Sequence, residues 1–222
     1  MTSEERKSWE RTQRKNRIID IAQDIFFQNG YEKTTIFQIA EAAGYNKRTL
    51  YLYFKDKEEI FLAVVLRGLE ILHNWFQHTL NTADEESNKL RKLSEVFFKF
   101  SLEHTEYLKL IMIFESNNCV YYEDQPRKEE KDQFQEACQA KTNAIAEIIT
   151  GSLQKAIDEG SIRTNLTPVQ LMLVLWGQVF GVMQIILMRQ KHFQDAFGIS
   201  YHDLFQSFLD MVETGIIAQN PD

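Results

Sequence analysis

With 222 residues, 44% of them hydrophobic and 26% charged, the chain has the composition of a folded globular protein, and general disorder is excluded. Nine glycines and three prolines are few turn formers, which excludes a many-stranded β fold and predicts long helices. The net charge of −7 argues against a polyanionic partner for the molecule as a whole, but the charge is unevenly divided. Residues 1–57 carry eleven Lys and Arg against eight Asp and Glu, leaving 14 of the 25 cations and 24 of the 32 anions for the rest. A small basic head on a larger acidic body lets one end approach phosphate while the remainder is repelled. The two cysteines, Cys119 and Cys138, have no metal-ligand spacing, and the polar start MTSEERKSWERTQRK is no secretory leader. A cytoplasmic protein without metal or cofactor is expected.

In chain order, Ile18, Ala22, Ile25 and Phe26 keep helical spacing up to Gly30 and predict a first helix near 14–29. Thr35 and Gln38 form a capping box ahead of Ile36, Ile39, Ala40 and Ala43, which predicts a two-turn second helix ending at Gly44. Asn46 caps a short third helix running to Phe54, and Asp56 with Glu59 opens a long fourth from Lys57 to about Leu80. Leu90, Leu93, Phe97, Phe100 and His104 space a fifth helix, and Leu108, Ile111, Met112 and Glu115 a sixth. The stretch from Ser116 to Pro126 has no helical period and reads as a loop. A seventh helix is expected from Arg127 to Glu159, ending at Gly160. Thr167, Pro168 and Gln170 cap an eighth that runs to about Lys191. A ninth follows Ser200 with Leu204, Phe205, Phe208, Leu209, Val212 and Ile216 on its apolar side. The expected fold is all-α, with a three-helix domain over 1–57 and a larger helical domain over 58–222.

Residues 35–54, TIFQIAEAAGYNKRTLYLYF, read as helix, glycine turn, helix, the pattern that sets a second helix into the DNA major groove. Ile39, Ala40, Ala43, Leu50 and Phe54 are spaced to fuse the pair onto the first helix. The opposite face then presents Lys47, Arg48, Thr49, Tyr51 and Tyr53. Arg48 can fork onto a guanine, the Thr49 methyl can touch a thymine methyl, and Lys57 adds a cation for phosphate.

From Arg17 to Val65 the chain resembles the DNA-binding region of the TetR (tetracycline-repressor-like) family. The resemblance rests on Phe26, Gly30, Tyr31, Thr34, Thr35, Ile39, Ala40, Ala43, Gly44, Thr49, Leu50, Tyr51, Tyr53, Phe54, Lys57 and Glu58. It implies that Tyr45 to Phe54 form the recognition region, with Thr35, Tyr51, Tyr53 and Lys57 on the phosphate backbone and Lys47, Arg48 and Thr49 at base edges. Tyr45, Asn46 and Arg48 depart from the usual valine, serine and small residue. Asn46 still caps well, whereas Tyr45 and Arg48 prevent transfer of an operator sequence from relatives.

One module with a handful of phosphate contacts binds weakly, so specificity requires a homodimer over two half-sites of a double-stranded operator. Residues 171–188 are free of charge and contain Gly177 and Gly181 at GxxxG spacing. They compose either a membrane span or a helix buried against a partner subunit. The recurring Gln170, Gln178 and Gln184 and the capped start favour the second. The family plan implies a four-helix bundle made of the last two helices and their copies, placing Gly177, Gly181, Gln184, Phe205, Phe208 and Val212 at the interface. It also implies an effector pocket, for which Trp75, Phe76, Phe97, Phe100, His104, Tyr107, Met112, Glu115, Phe134 and Trp176 are the candidates. Aromatic and sulfur-bearing walls with few polar points suit a mostly apolar, even cationic, small molecule.

The rival reading is a helical enzyme or small-molecule-binding protein whose helix-turn-helix serves another contact. The scattered histidines match no HExxH, and CxxC, GxSxG and glycine-rich phosphate loops do not occur. His104 with Glu115 is the one acid-base pair that adjacent helices would offer. A DNA-bending protein would carry strong positive charge, which the chain lacks. The expected function is therefore transcriptional regulation, as a repressor released from a palindromic operator by a small molecule.

Overall fold

The computed structural model describes residues 2–82, 86–121 and 133–216. Among them are nine helices and no strand: α1 (Ser3–Asn29), α2 (Ile36–Ala42), α3 (Lys47–Leu50), α4 (Lys57–Thr82), α5 (Glu86–Glu103), α6 (Thr105–Tyr121), α7 (Gln133–Asp158), α8 (Pro168–Phe197) and α9 (Tyr201–Ile216). They form two compact units, one from 1–71 and 104–141, the other from 72–103 and 142–222. The break expected at residue 57 is therefore not where the units divide, because α6 and the start of α7 join α1–α3 and the first half of α4.

In the first unit, Ile18, Ala22 and Phe26 of α1 are buried with Ile39 and Ala40 of α2, Leu50 of α3 and Ile60 and Phe61 of α4. Phe26 meets Phe61 edge to face with ring centroids 6.2 Å apart, and Tyr31 lies 4.3 Å from Phe61. Helix α1 starts eleven residues before the expected 14, at Ser3. Its polar first half lacks an apolar period but has a capping box between Thr2 and Glu5 and an Arg6–Glu10 pair one turn apart. Helix α6 likewise runs through Ser116 to Tyr121, where a loop was expected. Polar Ser116 and Asn117 erase the period there without breaking the helix, since neither is proline or glycine. Residues 122–126 of that expected loop, and the expected start of α7 at Arg127, lie outside the described residues. Gly68 on α4 packs against Tyr107 of α6 so closely that a Cβ in its place would lie 2.8 Å from the ring.

In the second unit, Leu153, Ala156, Ile162 and Leu171 form one buried cluster with Leu90, Ile149, Met172 and Leu175 against it. Phe98 of α5 stacks on the fully buried Phe205 of α9, with centroids 4.2 Å apart and rings 9° from parallel. Helix α8 begins at the predicted capping box of Thr167 and Gln170, then outruns the expected Lys191 to a left-handed Gly198 cap at φ 65°.

Candidate nucleic-acid interface and effector cavity

The reader segment is built from two short helices and the turn between them. Thr35 and Gln38 cap α2 reciprocally: Gln38 N–H donates to Thr35 Oγ1 at 3.2 Å, and Thr35 N–H to Gln38 Oε1 at 2.7 Å. Gly44 takes φ 73°, the left-handed region in which glycine alone has no Cβ strain, and Tyr45 N–H then donates to Ala40 O at 2.8 Å. Asn46 Oδ1 accepts from Thr49 N–H at 2.8 Å and starts α3. Leu50 is fully buried, which turns Lys47, Arg48 and Tyr51 outward and leaves Thr49 half-buried. The N–H groups of Leu52 and Tyr53 donate to carbonyls three residues back, so α3 is four residues and a tight turn rather than the expected helix to Phe54. The tightening carries Phe54 into the core, where it is 1% exposed.

Tyr45 and Tyr53 stack with centroids 6.3 Å apart. Lys57 is half-buried: its Nζ donates to Tyr31 O at 3.0 Å and lies 4.1 Å from the Tyr31 ring centroid, so its charge is fixed beside the reader. The sequence reasoning missed the contribution of α1. Arg11 Nη2 donates to Leu52 O at 2.9 Å and its guanidinium sits 5.7 Å from the Tyr53 ring centroid. Arg14 hydrogen-bonds the Tyr53 side chain, which holds its charged form more firmly than usual. Both are exposed, as are Lys47, Arg48, Tyr51, Leu52 and Phe37. The available signal was Thr2-x-x-Glu5 ahead of Arg11 and Arg14, a capping box preceding basic residues one turn apart or less. Such a surface offers forked donors for guanine edges, cations and hydroxyls for phosphates, and apolar atoms for thymine methyls.

The second unit encloses a cavity of about 200 Å³. Phe76, Phe97 and Trp176, three of the ten residues expected at an effector pocket, line it together with Leu90, Leu93, Ile149, Met172, Val179 and others. Trp75 instead meets Phe100 edge to face in the core, the latter fully buried. His104, Tyr107, Met112, Glu115 and Phe134 belong to the first unit. There the Tyr107 hydroxyl donates to Gln23 Oε1 at 2.7 Å, with burial raising its pKa, and Phe134 stacks on Phe54 at 6.4 Å. Residue type nominated these side chains, and none of the five is in the wall of that cavity. Arg91 of α5 and Glu213 of α9, which line it, carry no aromatic signal and were not foreseen.

Helix α8 turns Leu173, Val174, Gly177, Gln184, Ile185 and Met188 outward, with Gly181 half-exposed among them. A Cβ added at Gly177 or Gly181 would meet nothing within 4 Å, so the packing of this chain does not require their small size. Of the residues expected at a subunit interface, Gly177, Gly181 and Gln184 share this face. Phe205 is instead buried against Phe98, and Phe208 and Val212 line the cavity, because α9 directs its apolar side inward. The stretch Pro168–Arg189 is also long and apolar enough to cross a membrane.

Residues 18–64 match the sequence profile of the family described as bacterial regulatory proteins, tetR family. The chain is 29% identical over 140 residues to the HTH-type transcriptional activator FasR of Mycolicibacterium smegmatis, covering 63% of this chain and 60% of that protein's length. A Clostridium perfringens structure described as a fatty acid metabolism regulator superposes with a TM-score of 0.63 at 27% identity, covering 91% of this chain and all of that one. The structure of AibR in complex with isovaleryl coenzyme A and operator DNA has a TM-score of 0.64 at 16% identity, covering 89% and 97%. These likenesses extend the agreement from the reader segment to the whole fold. Residues 18–64 thus carry the signature of bacterial regulatory proteins of the tetR family, and the chain as a whole is similar in fold to the regulators above.

Proposed function

We propose that the chain is a dimeric transcriptional repressor, not an enzyme, that reads a palindromic operator and leaves it when a small, mostly apolar effector occupies the cavity of the second unit. The observation that carries this reading is the outward segment Lys47–Tyr53, held by a buried Leu50 and Phe54 and flanked by Arg11 and Arg14. Lys47, Arg48 and Thr49 read base edges, while Thr35, Tyr45, Asn46, Tyr51, Tyr53 and Lys57 position the module on the backbone. Residues 1–57 do the reading, and 58–222 serve effector binding and self-association. A cytoplasmic site of action follows from this role.

Dimerisation is supported by the unpartnered face of α8, whose two glycines serve nothing within the protomer. A membrane span over Pro168–Arg189 fits less well, since α8 continues through Arg189, His192 and Asp195 to Phe197. The AibR structure contains both an acyl thioester and operator DNA, so that protein engages both kinds of partner. In this chain α4 carries Lys57 at one end and Phe76, in the cavity wall, nearer the other. An effector favouring one setting of α4 lowers operator affinity by its coupling energy, typically about 1–3 kcal/mol. Selection of bound sequences from random duplex DNA by the purified protein tests the reading. Recovery of two inverted half-sites about one or more helical turns apart is expected. Recovery of no palindromic site would put a protein-binding or enzymatic role ahead.

A further inference from the structure

We propose that Arg11 is a positioning residue for base readout: by capping the open end of α3 from the side of α1, it fixes the pose of the segment that carries Lys47, Arg48 and Thr49. The inference deepens the reader role assigned above and rests on it. Helix α3 is four residues long, too short to hold a direction through its own hydrogen bonds. Its start is capped, since Asn46 Oδ1 accepts from Thr49 N–H at 2.8 Å. At the other end the N–H groups of Leu52 and Tyr53 turn back onto Thr49 O and Leu50 O, and Leu52 O receives no backbone N–H among the described residues. Arg11 supplies the missing donor. Its Nη2 reaches Leu52 O at 2.9 Å across 41 positions of sequence, and a basic side chain suits the carbonyl end of a helix.

The contact is part of a clasp built along one face of α1. Ile18, Ala22 and Phe26 are buried and define the inward side of that helix. Lys15, Arg14 and Arg11 stand three, four and seven residues before Ile18, so they continue the same side towards the start of the helix. All three engage the residues that follow α3. The Arg11 guanidinium lies 5.7 Å from the Tyr53 ring centroid, Arg14 bonds the Tyr53 side chain, and Lys15 Nζ lies 4.9 Å from the Phe54 ring centroid. Tyr53 in turn stacks on Tyr45, which precedes the Asn46 cap, so the clasp bears on both ends of α3. The helix that delivers Arg11 is itself secured at its start by the Thr2–Glu5 capping box and the Arg6–Glu10 pair. Phosphate contacts tolerate small shifts of a cation, whereas hydrogen bonds to base edges are lost when the donor turns away. Removal of the Arg11 cap therefore falls on specificity more than on overall affinity.

Arg11→Ala in the full-length protein tests this, with the selected operator and a random duplex of equal length as the two probes. The ratio of operator to random-duplex affinity should fall about tenfold per half-site, the joint worth of one hydrogen bond and one exposed cation–π contact. The salt dependence of random-duplex binding should stay as it is, in contrast to Arg14→Ala. Without DNA, amide hydrogen exchange at Leu52 and Tyr53 should quicken by a similar factor, because both N–H groups lie in the turn that Arg11 closes. An equal loss on both duplexes, with the salt slope lowered by about one counterion per protomer, would make Arg11 a phosphate contact and overturn the assignment. Unaltered exchange at Leu52 and Tyr53 would overturn it as well. Selection of no operator by the unaltered protein would overturn the reader role itself, and base readout through Arg11 with it.

Discussion

Replacing Gly177 and Gly181 by alanine should strengthen the isolated protomer and weaken its self-association, two effects of opposite sign from the same pair of methyl groups. A glycine inside a helix costs about 0.5–1 kcal/mol relative to alanine. Neither added Cβ meets an atom within 4 Å, so nothing in the protomer offsets that gain, and the double variant should be about 1–2 kcal/mol more stable as a monomer. Between subunits the two methyls hold the helices apart and spoil the burial of Leu173, Val174, Ile185 and Met188, all exposed on one chain. Forfeiting a quarter of about 2 kcal/mol for each of these on both protomers removes roughly 4 kcal/mol, near a thousandfold in Kd. Sedimentation equilibrium over a dilution series gives the dissociation constant, and urea unfolding at concentrations where both proteins are monomeric gives the protomer's stability. Stabilisation with an unchanged Kd would show that partner helices do not meet at these glycines.

Other substitutions probe the reader and the first unit. Arg48→Ala should relax base preference at one position per half-site by about 1–3 kcal/mol in competition binding, whereas Arg14→Ala should weaken all sequences alike and flatten the salt dependence by about one counterion per protomer. Equal effects of both on every sequence would refute that division. Gly68→Ala should cost about 1–3 kcal/mol in denaturant unfolding, since the new methyl would lie 2.8 Å from Tyr107. Tyr107→Phe should cost about 1 kcal/mol through loss of the bond to Gln23. Because burial raises the Tyr107 pKa above 10, the folded state holds its phenolic proton more tightly than the unfolded chain. Stability from this group is complete below pH 10 and declines as pH rises past it, so the alkaline limb of an unfolding curve should be shallower in the phenylalanine variant.

Helix starts were legible wherever a side chain announces them. Thr35 with Gln38, Asn46 and Thr167 with Gln170 each cap the helix expected of them, and Leu50 and Phe54 are buried as their spacing required. The start of α1 and the run of α6 past Ser116 were hidden because periodicity detects helices only where one face is apolar. The cavity was legible only in part for a different reason. Spacing assigns a residue to a face of its own helix but does not say which helices close together, so of the candidates Phe76, Phe97 and Trp176 line the cavity while Tyr107 and Phe134 lie in the first unit. Arg91 and Glu213 lie 122 positions apart and signal nothing until α5 and α9 meet. The inward turn of Phe205, Phe208 and Val212 was likewise undecided by sequence, since an amphipathic helix can bury its apolar side in its own chain or in another.

Arg91, in the cavity wall, donates five hydrogen bonds to Glu95, Gln206, Asp210 and Glu213, and that convergence concentrates risk at one codon. A histidine or glutamine there would leave Glu95, Asp210 and Glu213 facing one another without their counterion, and mutual repulsion would pry α9 from α5 at neutral pH. Descendants that lose the arginine should therefore survive only if a carboxylate is lost with it.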